Sequence, residues 1–243
     1  MGTLIYAHRG ASKLAPENTM PAFELAHQAG ADGIETDVQL TKDGVPVLIH
    51  DENVRRTTNG TGFVQDYTYE EIKKLDAGSW FSTKFSDTPI VTLEEFLEWV
   101  QDKSMVLNIE LKNNVIDYKN MERIVYDLLQ AYQLLDQTVV SSFNPDSMKR
   151  MKEIDPKVAT AFLTSQKLPD LFGYLKRLQV DGLHVKYRLL NKKLAENCMQ
   201  QNLALRSYTV NRPAQMKKCF KLKCEGIFTD VPHLAKEYRE LYQ

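Results

Sequence analysis

Long apolar runs, cysteine and net charge are all scarce in this chain. Nowhere do the roughly 18 consecutive apolar residues of a membrane helix occur, and no basic stretch followed by an apolar run opens the sequence as a secretory signal would. Both absences lead us to expect a cytoplasmic protein without stable membrane insertion. Cys198, Cys219 and Cys224 are odd in number and lack metal-ligand spacing, so neither a disulfide framework nor a thiolate metal site is expected; they read as reduced thiols. With 31 Lys plus Arg against 32 Asp plus Glu, the net charge of -1 provides no overall field for nucleic acid or an anionic membrane. Any anionic partner should be a small molecule held locally, and the chain is compatible with a homodimer.

What is present is a regular alternation. A chain of 243 residues, 43% of them hydrophobic, can bury one sizeable core and falls close to the roughly 250 residues of an eight-fold β/α barrel. Strand-like runs are expected at 4–9, 33–40, 105–112, 138–143, 157–163, 182–187, 203–209 and 226–230. Segments near 19–29, 92–102, 118–133, 145–154, 168–178, 191–201, 213–221 and 232–241 carry apolar residues at helical spacing. Asn18 or Thr19, Thr92, Asn144 and Asn211 sit where N-caps belong, and Pro145 and Pro213 suit a first helical turn. Eight such pairs predict a TIM (β/α)8 barrel, one domain over 1–243, ahead of a doubly wound open sheet. One stretch, about 51–91, breaks the alternation and reads as a small insertion after strand two, either packed on its own aromatics or walling a cleft.

Strand two reads Ile34-Glu35-Thr36-Asp37-Val38-Gln39-Leu40, and the period of two puts Glu35, Asp37 and Gln39 on one face. Strand three repeats the device with Asn108, Glu110 and Lys112. A parallel barrel strand buries both faces, so acids within two of them are costly unless a cation compensates. Glu35, Asp37 and Glu110 form an all-oxygen set that suits one divalent cation, Mg²⁺ or Ca²⁺, better than zinc. The plainer alternative is an ion network with Lys112, Arg9 or Arg206.

Asp43-Gly44 signals a hairpin. With those two as its loop residues, His50 falls directly opposite Asp37, whereas a one-residue slip turns it to the other face. His8 closes strand one on the face of Tyr6 and Leu4. Two imidazoles converging on three carboxylates beside Arg9 and Lys112 would supply acid, base, cation site and anion clamps.

Those residues carry a family resemblance. His8-Arg9-Gly10, Pro16-Glu17-Asn18-Thr19, Gly33-Ile34-Glu35-Thr36-Asp37-Val38, Asp43-Gly44 through His50-Asp51 and Ile109-Glu110-Leu111-Lys112 resemble the bacterial glycerophosphodiester phosphodiesterases. Ser141-Ser142-Phe143, Asp181-Gly182, Thr209-Val210-Asn211 and Phe228-Thr229-Asp230-Val231-Pro232 continue the match in order along nearly the whole chain. The resemblance implies a TIM barrel with an insertion after strand two. It also implies metal-dependent hydrolysis of glycerophosphodiesters to sn-glycerol 3-phosphate and an alcohol. Residue by residue, it makes His8 and His50 the general acid/base pair and Glu35, Asp37 and Glu110 the metal ligands. Arg9 and Lys112 become phosphate contacts, and Glu17 an acid near the site. Where many members carry Trp before Thr-Val-Asn, this chain has Tyr208, a smaller aromatic wall with a hydroxyl. Lysophospholipase D or phospholipase C-like action on the same barrel, and a non-catalytic phosphodiester-binding barrel, are the rival readings.

Weaker candidates are His184 and Lys186, alternating on strand six and reaching toward the barrel mouth, and Phe143, Trp80 and Phe85 as cleft aromatics. His27, His233 and the basic run around Lys217-Lys218 read as peripheral.

Overall fold

Strict alternation in the buried strands determines the architecture. The computed structural model describes residues 2–243. Its elements in chain order are β1 (Leu4–His8), α1 (Met20–Gln28), β2 (Gly33–Leu40), β3 (Pro46–Leu48), α2 (Tyr69–Ile72), α3 (Leu93–Val100), β4 (Val106–Leu111), α4 (Met121–Ala131) and β5 (Thr138–Ser142). They continue with α5 (Pro145–Ile154), β6 (Ala159–Thr164), α6 (Leu171–Leu178), β7 (Gly182–Lys186), α7 (Lys192–Gln200), β8 (Ala204–Tyr208), α8 (Pro213–Lys221), β9 (Gly226–Thr229) and α9 (Pro232–Tyr242). Strands β1, β2 and β4 to β9 are parallel, and β1 pairs with both β2 and β9, so eight strands close into a barrel ringed by helices. Strand β3 lies outside the ring, antiparallel to β2.

Ile34, Val38 and Leu40 of β2 point outward into the layer shared with the helices, together with Ile109 and Leu111 of β4. That leaves Glu35, Asp37, Asn108 and Glu110 on the opposite, lumen face. Register sets them in two tiers: Glu35 lies beside Asn108, and Asp37 beside Glu110. Below them the lumen is filled, with the Arg206 guanidinium 4.8 Å from the centre of the Tyr6 ring and Tyr6 5.3 Å from Phe228. Gly226 makes room there, since a Cβ would stand 2.9 Å from the Tyr6 ring.

The helices form for legible reasons. Helix α3 buries Leu93, Phe96, Leu97 and Val100, the i, i+3, i+4, i+7 stripe, each fully buried large side chain contributing about 1.5–3 kcal/mol. Its start is a capping box: Glu95 N–H donates to Thr92 Oγ1 (3.1 Å) and Thr92 N–H to Glu95 Oε2 (2.7 Å). Asn144 caps α5 by accepting from Asp146 N–H at 3.0 Å. Asn211, expected to cap α8, does not: Arg212 holds the cap position, and Gln215 Oε1 accepts from the backbone of both Asn211 and Arg212. The side chain of Asn211 is engaged instead by the end of β9.

The insertion carries its own small core of Val47, Ile49, Val54, Val64, Ile72, Ala77 and Ile90, laid on the outer face of β3. Trp80, Phe81 and Phe85 pack edge to face on one another there, at 5.7 and 5.8 Å between centroids. All three cysteines are free and buried, and burial pushes the Cys198 thiol up to about 12. No helix among the described residues is long and apolar enough to cross a membrane.

Candidate active site

At the end of β1 the chain makes a sharp reversal. Arg9 (φ 58°) and Gly10 (φ 81°) are consecutive left-handed residues, and a Cβ on Gly10 would meet the Ala22 backbone at 2.6 Å. The reversal aims the Arg9 backbone N–H at Glu35, where it reaches both the carbonyl (2.9 Å) and Oε2 (3.0 Å). The guanidinium turns the other way, with Nη1 2.9 Å from Glu17 Oε1 and Nε 3.1 Å from Asp37 Oδ2. The latter contact is an ion pair too poorly aligned to be a hydrogen bond, and Nε has no other partner. Asn18, also left-handed at φ 56°, donates from Nδ2 to Asp37 Oδ2 at 3.0 Å and accepts from Thr36 Oγ1 at 2.7 Å.

Glu35, Asp37 and Glu110 each offer one oxygen, and these three atoms lie within 4.8 Å of one another. All three residues are buried. Lys112 Nζ stands 2.9 Å from Glu110 Oε1 and 3.8 Å from Asp37 Oδ1. Arg206, considered for this network, pairs with Glu225 beneath the floor instead. Burial, reinforced by the neighbouring Asp37 and Glu110 charges, raises the Glu35 carboxyl well above the ordinary carboxylate range. Burial also raises Asp37, but Arg9, His50, Lys112 and the Asn18 amide outweigh it and hold that carboxyl low. Asp37 Oδ1 and Asn108 Oδ1 are buried acceptors without a hydrogen-bond partner. Clustered carboxylates short of positive charge, with orphaned hard oxygen acceptors among them, fit a divalent cation of the Mg²⁺ or Ca²⁺ type.

Two imidazoles share this cleft, which encloses about 230 Å³. His8 Nδ1 lies 2.7 Å from Asp230 Oδ1, and Asn211 Nδ2 donates to the other oxygen of Asp230 at 2.6 Å. Burial opposes ionisation of Asp230, but His8 and Asn211 overcome it and lower its pKa. His50 Nδ1 lies 2.5 Å from Asp51 Oδ1, and Arg56 Nε donates to Asp51 Oδ2 at 2.5 Å. Partial burial would raise Asp51, yet the bonds from Arg56 and His50 bring it to about 2. Arg56 also donates to both oxygens of Glu17, at 2.7 and 2.9 Å. A carboxylate can only accept, so each imidazole carries its proton on Nδ1 and leaves Nε2 free.

His50 reaches the cleft by a route different from the expected one. The hairpin loop has three residues, 42–44, closed by Thr41 N–H to the Val45 carbonyl (3.0 Å), with Gly44 left-handed at φ 81°. Val38 therefore faces Leu48, which sets His50 level with Thr36 and not Asp37. Strand β3 ends at Leu48, the last hairpin bond is Ile49 N–H to the Asp37 carbonyl (3.0 Å), and the chain leaves strand geometry before His50. Gln39 Nε2 holds the His50 carbonyl at 3.0 Å.

Of the other expected site residues, Phe143 and Tyr208 meet edge to face at 6.1 Å and form the far wall. His184 lies in the floor, wholly buried, 5.0 Å from the Phe228 ring and 3.3 Å from Arg206 Nη1; burial, then Arg206, depresses its pKa well below the ordinary value. Lys186 reaches the cleft. Glu17 lies one layer out, between two guanidinium groups. Trp80 and Phe85 do not line the cleft, because their aromatic cluster closes on itself in the insertion. His27 sits on α1 against Trp99, 6.3 Å away, and His233 opens α9.

Asp230, Asp51, Asn18, Arg56 and Asn211 had no assigned site role in the sequence. Asp51 and Asp230 were detectable in principle, one beside His50 and one at a strand end. Asn18 reads as a cap until its left-handed backbone turns it toward Asp37.

The pattern of the glycerophosphoryl diester phosphodiesterase family matches residues 8–234. The chain belongs to this family. Among relatives within it, the glycerophosphodiester phosphodiesterase of Caldanaerobacter subterraneus subsp. tengcongensis is 43% identical over 232 residues, 96% of each chain. That of Bacillus altitudinis is 42% identical over 241 residues, 98% of each. An Oleispira antarctica phosphodiesterase, solved with its product sn-glycerol 3-phosphate, superposes with a TM-score of 0.92 at 28% identity, covering 98% of this chain and 97% of that one. A glycerophosphodiester phosphodiesterase from Agrobacterium tumefaciens gives 0.85 at 29% identity, covering 97% and 99%. The family's fold is thus shared along the full length.

Proposed function

We propose that the protein hydrolyses glycerophosphodiesters to sn-glycerol 3-phosphate and an alcohol by histidine acid/base chemistry. The observation that carries the reading is a single cleft containing two carboxylate-backed imidazoles beside Glu35 and Glu110. A mere anion-binding barrel has no use for two such pairs.

Glu35, Asp37 and Glu110 would hold one divalent cation, which when bound supplies Lewis-acid stabilisation of charge on the phosphoryl oxygens. Arg9 and Lys112, which stand beside the carboxylate cluster, would orient the phosphate and offset its charge. His8 Nε2 removes the proton from the attacking hydroxyl as the new P–O bond forms. Asp230 holds the ring in the needed tautomer and stabilises the imidazolium. His50, its Nδ1–H held by Asp51, acts from the doubly protonated ring and gives its Nε2 proton to the departing alkoxide as the old P–O bond breaks, leaving the ring neutral. Two nucleophiles suit this arrangement: water directly, or the substrate's glycerol hydroxyl, which expels the alcohol and leaves a cyclic phosphate that water then opens; oxygen-18 water with phosphorus NMR separates the two.

The test is release of sn-glycerol 3-phosphate from glycerophosphodiesters with and without chelator, in the parent, His8→Ala and Glu35→Ala. Loss of either imidazole function costs roughly 10²- to 10⁴-fold in rate. Full activity in either variant, or after thorough metal stripping, would refute the mechanism.

A further inference from the structure

The two halves of the cleft differ electrically. On the β2 and β4 side every cation has a counterpart: Arg9 with Asp37 and Glu17, Lys112 with Glu110. Strands β7 and β8 lie across the ring from them. There Lys186 ends β7 on the lumen face, level with Tyr208 on β8, exposed and lining the cleft. Two residues on, Arg188 donates to the Ser165 carbonyl at 2.7 Å, and the Tyr208 hydroxyl lies within electrostatic reach of Glu110 on one side and Arg188 on the other. Among the described residues neither Lys186 nor Arg188 is ion-paired with a carboxylate. The three successive loops here, 165–169, 186–191 and 209–212, contain Lys167, Lys186, Arg188 and Arg212 and no Asp or Glu. Asp170, which follows the first loop, pairs with Arg177 at 3.3 Å.

The Tyr208 hydroxyl is shielded from solvent and has no hydrogen-bond partner. A buried donor without a partner is costly unless a ligand completes it. Of the two substituents on the phosphorus, glycerol is uncharged and can only accept hydrogen bonds from such cations, whereas a departing alcohol that bears an anion would form ion pairs with them. The Phe143–Tyr208 corner would otherwise seat a quaternary ammonium, but Lys186 and Arg188 flank it, and Glu110, the carboxylate within reach of Tyr208, is already paired with Lys112. We propose that Lys186, Arg188 and the Tyr208 hydroxyl form a leaving-group subsite that selects diesters whose departing alcohol carries an anionic group, over those that carry a quaternary ammonium. This rests on the glycerophosphodiesterase reading above.

The test compares three substrates: glycerophosphoglycerol, the same diester phosphorylated on its departing glycerol, and glycerophosphocholine. For the parent enzyme, kcat/KM for the phosphorylated diester should exceed that for the neutral one by about tenfold, mainly through KM, and the advantage should shrink in high salt. In the Lys186→Gln/Arg188→Gln variant the ratio should fall to within about twofold, and Lys186→Glu should shift preference toward glycerophosphocholine. Each ratio is taken within one variant, so a general loss of activity cancels. If the parent cleaves the neutral diester but shows no anionic preference, or the preference survives the double substitution, the subsite is refuted while the function stands. Failure to cleave any of the three overturns both.

Discussion

At the residue scale the site depends on groups that hold other groups. Asp230 touches none of the three clustered carboxylates, yet it holds His8 at 2.7 Å. Replacing Asp230 by Asn should therefore lower kcat by roughly 10²- to 10⁴-fold, with KM and the affinity for a divalent cation changed by less than about threefold. Steady-state kinetics with calorimetric titration of Mg²⁺ would check this, and a matching loss of cation affinity would mean that Asp230 supports the carboxylates instead. The period of two made Glu35, Asp37 and Glu110 legible in the sequence, because it forces acids onto the lumen face of strands that otherwise bury apolar residues. Residues that act through contacts remote in sequence were not legible. Asp230 meets His8 across 222 positions, and Asn18 depends on a backbone conformation that its residue type permits but does not dictate.

At the scale of elements, the turn from β1 toward α1 decides where Arg9 goes. Gly10→Ala adds a methyl 2.6 Å from the Ala22 backbone at φ 81°, a clash and a left-handed penalty together worth about 2–4 kcal/mol. Tm should drop by roughly 5–15 °C, with activity falling as Arg9 loses its aim; a thermal melt unchanged from the parent would show that the turn tolerates a side chain. All eight barrel strands stood out in the sequence to within two residues at either end, since each is a short apolar or alternating run bounded by turn residues. The hairpin was off by one. Asp43-Gly44 reads as a two-residue loop, but Thr41 Oγ1 donates to Asp43 Oδ1 at 2.6 Å and accepts from Val45 N–H at 2.9 Å, which draws Lys42 into the loop as well. Local side-chain bonding of this kind competes with the simplest turn and is invisible to periodicity.

At the scale of the whole molecule, the buried floor ties stability to pH. His184 has a folded-state pKa depressed by burial and Arg206, so below about pH 6.5 the unfolded chain takes up a proton that the folded one refuses. Stability should fall as pH drops through that value and on toward the folded pKa, at up to about 1.4 kcal/mol per pH unit from this group. Urea titrations at pH 7.5 and 5.5 should give a shallower dependence in His184→Gln than in the parent, and equal slopes would discount His184 as the source. The ring closure of β1 between β2 and β9 has a different consequence, one of timing. Glu35, Asp37 and Glu110 all lie on early strands and can gather as soon as β2 and β4 pair. His8 is made before any of them but waits for Asp230, which follows β9, the last of the barrel strands to be made. The carboxylate cluster can thus form in a half-built barrel, whereas the His8–Asp230 pair belongs only to a finished one, and under the proposed mechanism turnover reports that the last strand has found the first.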